Sequence, residues 1–238
     1  MTSSSASVWR HPVLEGLAVL VGILIAFGLE AAWQERSARL EERDNLVALR
    51  SELEDARRHF VSRDEALAAD MAQTDRVREE LNSFAIQTVP DDSINALAVA
   101  LGPMAVRVPP RAALDDLLSS GGIRRVRSAE LRRAVAGYVQ ALEADVRVQG
   151  TAAELWLGHL TPYRYAHSTL VPGLSAQTRP DIPISVDRDA YVGSRTYTNL
   201  LGARILRARD VRSSHRAVLV KLEEVVGVLD ALGVNSAS

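Results

Sequence analysis

The chain has no cysteine and one lysine, Lys221, against 27 arginines, and only 5% of its 238 residues are aromatic. Without cysteine there is neither a disulfide scaffold nor a thiolate-held zinc or iron–sulfur site. The arginine bias fits a GC-rich coding sequence and carries no functional weight. An excess of one charge is missing too. The 28 basic and 30 acidic side chains leave a net charge of -2, which argues against a strongly basic nucleic-acid binder, and 47% hydrophobic content excludes a disordered tail. Strand alternation is nearly absent, since IPISV at 182–186 is the one candidate and is too short to build a sheet. What remains is a folded, helical chain of one or two domains.

The near-neutral total conceals a split. Residues 1–119 carry 12 basic and 19 acidic groups, a net -7, whereas residues 120–238 carry 16 and 11, a net +5. The two halves are electrically complementary.

Residues 16–29 run for fourteen positions without a polar side chain. That is short for a bilayer span, which wants about 20 apolar residues. The flanks lengthen it. Trp9 and Trp33 bracket the run 24 residues apart, roughly 36 Å along a helix, near the spacing of the two interfacial aromatic belts. Pro12 suits a first helical turn. A cleaved signal peptide with Ala26 and Gly28 at its small-residue site is the main rival. Glu15 at the start of the apolar run, and a helical pattern that continues unbroken past Gly28, weigh against it.

On this helix Ala18, Gly22 and Ala26 form a face of small residues that lets a second backbone approach, so self-association in the membrane is expected. Glu15 and Glu30 share that face. Carboxylates inside a bilayer mark ion or proton pathways, but these two lie near the ends of the span, where an interfacial position is the better explanation. Counting basic residues alone puts the large domain in the cytoplasm, whereas the short acid-free N-terminal tail favours an internal N-terminus and tips the balance slightly to an exported, periplasmic domain.

From Gln34 to about residue 84, apolar residues recur at Leu46, Leu49, Leu53, Ala56, Phe60, Leu67, Met71 and Leu81, at spacings of three and four that predict one long amphipathic helix. Arg63 and Asp70 would break a strict heptad, which favours a multi-helix bundle over a parallel coiled coil. Prolines punctuate residues 86–110 around a short helix at 93–101. A second short helix at 112–120 ends at Gly121-Gly122, and Ser128 offers an N-cap for a third long one. That helix runs to about residue 160 on Leu131, Val135, Tyr138, Leu142, Val146, Ala153 and Trp156. Residues 161–187 read as a long loop, and a last helix at 189–232 presents Tyr197, Leu201, Ile205, Val218, Leu222, Val225, Leu229 and Leu232 before Gly233. The expected fold is all-α: a tail at 1–11, a single transmembrane helix at 12–33 continuing into an antiparallel helical bundle at 34–233, and a tail at 234–238. The acidic first helix should face the basic later ones.

The stretch LEGLAVLVGILIAFGLEAAWQER, then LDDLLSSGGIRRVRSAELRRAVAGYV, then YTNLLGARI, resembles an uncharacterised family of bacterial single-pass inner-membrane proteins with an N-terminal G-I-L-I-A membrane helix followed by a helical domain. Members share the Glu-led membrane segment with a Trp at its end, a Leu-x-Ser-Ser-Gly turn before an Arg-rich helix start, and an Asn-Leu step in the last helix. The chain departs at residues 29–32, where relatives place polar amides. The resemblance implies topology and no catalytic residues.

Two further clusters stand out. Residues 156–170 gather Trp156, His159, Tyr163, Arg164, Tyr165 and His167 as a candidate ligand or partner loop, against a plain packing role; the histidine spacing fits no metal motif. Arg124, Arg125 and Arg127 follow the Gly-Gly turn, where they would meet anionic headgroups or pair with the acidic first helix. No aromatic residues interleave there for base stacking, so nucleic acid is not expected. Neither a phosphate loop nor a nucleophile elbow is present, and no enzyme activity, cofactor or metal is expected. The functional expectation is a membrane-anchored interaction or sensory module that self-associates in the lipid bilayer of the bacterial inner membrane, with room for an unidentified protein partner. The alternative is a small ion- or proton-handling assembly.

Overall fold

The structure, a computed structural model, describes residues 10–84, 88–168 and 185–234; within the first helix the side chains of residues 10–19 and 21 are outside the description. Among the described residues nine helical segments follow one another: α1 (Arg10–Ser83), α2 (Asp91–Val99), α3 (Ala112–Ser119), α4 (Gly122–Arg125) and α5 (Ala129–Leu155), a π-helical turn (Trp156–Leu160), then α6 (Thr161–His167), α7 (Arg188–Tyr191) and α8 (Arg195–Ala231). The described residues are all-α. Their one strand-like feature is an isolated antiparallel bridge between Ser168 and Val186.

α1 stays unbroken for 74 residues, and it changes character along its length. Residues 22–41 are exposed without exception. From Leu46 onward the three-and-four spacing takes hold, burying Leu46, Leu49, Leu53, Ala56, Phe60, Leu67, Val77 and Leu81. Among the described residues no helix is long and apolar enough to cross a membrane.

α8 packs on both α1 and α5 and runs antiparallel to each. Ion pairs fix the first register: Arg50 meets Asp230, Arg57 meets Glu223 at 2.9 Å, Asp64 meets Arg212 at 2.7 Å and Asp70 meets Arg204 at 2.5 Å. The pairing therefore reverses sign along the interface. Basic residues of α1 face acidic ones near the end of α8, and acidic residues further along α1 face arginines. The expected match of an acidic helix to basic ones resolves into a ladder whose sign reverses once, which opposes a slip in register more effectively than two uniform faces would.

Short elements fill in around these helices. Glu52 of α1 accepts from the backbone N–H groups of Ala113 and Leu114 at 2.6 and 3.0 Å, so a carboxylate from another helix caps the start of α3. Gly121 takes a left-handed φ of 70° between α3 and α4. The Ser128 hydroxyl accepts from the Leu131 N–H at 3.1 Å and caps α5 as its position predicts. At the far end, Gly233 has φ 71°, with Val234 N–H donating to Leu229 and Gly233 N–H to Asp230, both at 3.0 Å, which closes α8 in a Schellman turn. Val234, expected in a tail, is buried in the main core.

Two other expectations change. Residues 161–167, read as the start of a loop, are helical because the π-helical turn carries the chain through Pro162: Thr161 N–H bonds Trp156, five residues back. The register has already shifted where proline removes its donor. The last helix begins at Arg195 rather than near residue 189, since Gly193 at φ 66° breaks it and the Ser194 hydroxyl caps the new start by accepting from Tyr197 N–H at 3.3 Å.

Candidate functional site

The expected cluster at 156–170 is partly assembled. Trp156 is buried and Tyr163, Arg164 and His167 are half-buried at the end of the bundle, with Tyr191 of α7 and Tyr197 of α8 joining them. Tyr163 stacks on Tyr197 with ring centres 5.5 Å apart, and its hydroxyl donates to the Ala190 carbonyl. Tyr191 sets its edge to Tyr197 at 4.8 Å. Burial raises the phenol pKa values of Tyr191 and Tyr197, and it lowers that of Arg164. His159 and Tyr165 stay exposed and join no ring contact among the described residues. The His167 ring lies 4.6 Å from that of Tyr163, and its Nδ1 pairs with Asp187 at 3.1 Å. The end of α6 is thereby tied to the segment before α7; residues 169–184 between them, the remainder of the expected loop, lie outside the described residues.

A second set, which the apolar pattern did not reveal, lies inside the bundle. The seam of α5 continues through Asp145 and Gln149, and that of α8 through Arg204 and His215, all four buried. Gln149 holds the peptide of Arg107 at both ends, accepting from its N–H at 2.7 Å and donating to its carbonyl at 3.1 Å; it also donates to Asp145 at 2.6 Å. His215 Nε2 lies 3.7 Å from Asp145 Oδ1, and neither ring nitrogen has a hydrogen-bond partner among the described residues. Burial lowers the His215 pKa, with Arg63 and His59 adding to the effect and Asp145 opposing it. The pair is 1% and 2% exposed, so it holds the interior together and offers no face to a substrate.

Arg204 links this layer to the aromatic end. Its Nη2 donates to Asp70 at 2.5 Å and its Nε to the Thr74 hydroxyl at 3.3 Å, while its guanidinium lies over the Trp156 ring at 4.9 Å. Arg164 lies over the same ring at 5.2 Å. Two cations on one indole are each held by the ring's negative face.

The arginines after the Gly-Gly turn divide. Arg127 reaches Glu35 at 3.2 Å and its N–H donates to Glu42, and Arg125 sits 3.6 Å from Glu41. The Glu35 carboxyl is held below its usual value, first by its hydrogen bond to Arg39 and then by Arg127. Arg124 is exposed and has no ion-pair partner among the described residues. On α1, Gly22, Ala26 and Glu30 are exposed, and Glu30 accepts from Gln34 at 3.3 Å. The side chains of Glu15 and Ala18 lie outside the described residues. No group of three or more histidine or carboxylate side chains is gathered for a metal among the described residues. Comparison with known proteins gives no matching family model, curated protein or solved structure.

Proposed function

We propose that the chain is a membrane-anchored helical interaction or sensory module. In this reading the apolar start of α1 spans a bacterial inner membrane once, copies associate along Ala18, Gly22 and Ala26, and the bundle stands on the exported side. The observation that carries it is the character of α1 before the bundle. Leu20, Ile23, Leu24, Ile25, Phe27, Leu29 and Trp33 are each 47–75% exposed, on a helix that runs without a break into the core. A contiguous apolar surface of that kind calls for a lipid or protein cover. The resemblance to the single-pass family belongs to the same proposal, as does the assignment of Trp33 to an interfacial belt.

Alkaline carbonate washing of membranes from cells expressing the full chain tests the anchor. The protein should sediment with the bilayer, and Ile23→Arg with Phe27→Arg should release it. Recovery of the unaltered chain in the wash would overturn the reading. A reporter fused after residue 238 reads orientation separately.

A further inference from the structure

Arg63 and Asp70 stand in α1 where its three-and-four spacing calls for apolar side chains, and at their level the bundle contains a cavity of about 200 Å³. At roughly 30 Å³ per water, that is room for a small organic molecule. Leu67 of α1, Ala152 of α5, Val211 of α8 and Met104 of the connection after α2 supply apolar walls. The cavity therefore touches all three long helices.

Its charges do not balance. Asp70 is matched by Arg204 at 2.5 Å, and the Gln149 amide is committed to Arg107 and Asp145. Asp64, next to Arg63 in sequence, pairs with Arg212 through two bonds of 2.8 and 2.7 Å. Arg63 is left without a carboxylate partner among the described residues, and its Nε is buried with no hydrogen-bond acceptor. One guanidinium without a carboxylate partner thus lines a half-open pocket whose walls are about half polar and half apolar. Leaving a buried donor unmet is unfavourable, and a carboxylate is the acceptor whose geometry a guanidinium fork matches.

We infer that this cavity binds a small organic monocarboxylate, its carboxylate on Arg63 and its short carbon chain against Leu67, Met104, Ala152 and Val211. A dianion such as phosphate would need a second free cation, and Arg204 is already neutralised by Asp70. A neutral molecule of the same shape would leave Arg63 unanswered. Because an occupant touches α1, α5 and α8, binding would hold the three long helices together at that level. Any signalling use of that binding rests on the sensory reading; occupancy does not.

The test titrates sodium salts from acetate to hexanoate into the purified full chain in nonionic detergent at fixed chloride, read by calorimetry and thermal unfolding. Butyramide and inorganic phosphate serve as parallel probes. At least one monocarboxylate should bind saturably, butyramide should not, and Arg63→Gln should weaken binding on the order of ten- to a hundredfold. Ala66→Trp, at an exposed position lining the cavity, should block binding with the helical content retained. The proposal is overturned if no monocarboxylate binds, if butyramide or phosphate binds as tightly, or if Ala66→Trp leaves binding intact. A chain that carbonate extracts but that binds the acid overturns the membrane anchor alone, whereas a membrane-retained chain that binds no acid overturns the cavity alone.

Discussion

Arg204 is 1% exposed, and a buried cation persists only when it is paired. Asp70, whose side chain is 27% exposed, is the pairing partner. The two ends of this bridge are therefore unequal. Asp70→Asn leaves a guanidinium charge inside the protein and should cost about 3 kcal/mol, the usual penalty for an orphaned buried ion. Arg204→Met removes that charge and leaves a carboxylate that water reaches, so it should cost less. Urea unfolding of both variants gives the order directly, and the reverse order would show that Asp70 does not carry the bridge. His215 makes a second prediction. Its pKa is held below 6.5 by burial first and by Arg63 and His59 second, with Asp145 and Asp64 pulling the other way. Burial likewise lowers the pKa of His59. The unfolded chain thus takes up protons more readily than the native one, and stability that is full above the ordinary histidine pKa is lost as pH falls through it. Thermal midpoints should drop between about pH 7.5 and about pH 5. In His215→Gln that drop should shrink; an unchanged slope would place the proton uptake elsewhere.

Among the elements, α5 shows best how its ends are set. The Ser128 hydroxyl occupies one of the donors that the first turn leaves open, and Ser128→Ala should cost about 1 kcal/mol, read as a lowered urea midpoint with an unchanged slope. No loss of stability would mean that neighbouring contacts alone hold the start. The caps and breaks at Ser128, Gly121 and Gly233 are legible in the sequence because each depends on one local residue; the break at Gly193 and the cap at Ser194 are as local, but they sit inside a stretch that reads as one continuous helix. The apolar face of α1 is legible too. The polar layer is not, because a search for apolar residues passes over the polar ones that keep the same period. In α5 the buried line runs Leu142, Asp145, Gln149, Ala152, while Val146 is 37% exposed. In α8 it runs through Arg204 and His215, and Leu232 is 48% exposed. Spacing alone points to these four when position is weighed above polarity; Arg63 and Asp70 are visible on the seam of α1, but the partner of Asp70, Arg204, lies more than a hundred residues away in sequence. The π-helical turn had no signal beyond Pro162, because its bonding depends on how Trp156 packs.

At the scale of the whole molecule, one helix belongs to two environments. Residues 22–41 of α1 are exposed throughout, a length of about 30 Å, before the same helix enters the core at Leu46. Apart from the pairs of Arg127 with Glu35 and of Arg125 with Glu41, no ion pair or hydrogen bond among the described residues ties this projecting part to the bundle, and in the proposed reading lipid and a second copy cover its apolar side chains and small-residue face. Gly22 isolates that question. A Cβ placed there meets no atom within 4 Å, so Gly22→Leu adds bulk without disturbing the chain's own packing, and it also replaces a poor helix former with a good one. If copies meet along Ala18, Gly22 and Ala26, the added side chain holds the backbones apart, and van der Waals contact is the chief attraction between helices in lipid. Self-association in a membrane two-hybrid assay should then fall several-fold, while Leu24→Ala, about 200° around the helix, should leave it near the starting level. The urea midpoint of the bundle should not move in either variant. Undiminished association of Gly22→Leu would remove the small-residue face from the proposal and direct the search to the exposed Trp33 and Leu40 further along α1.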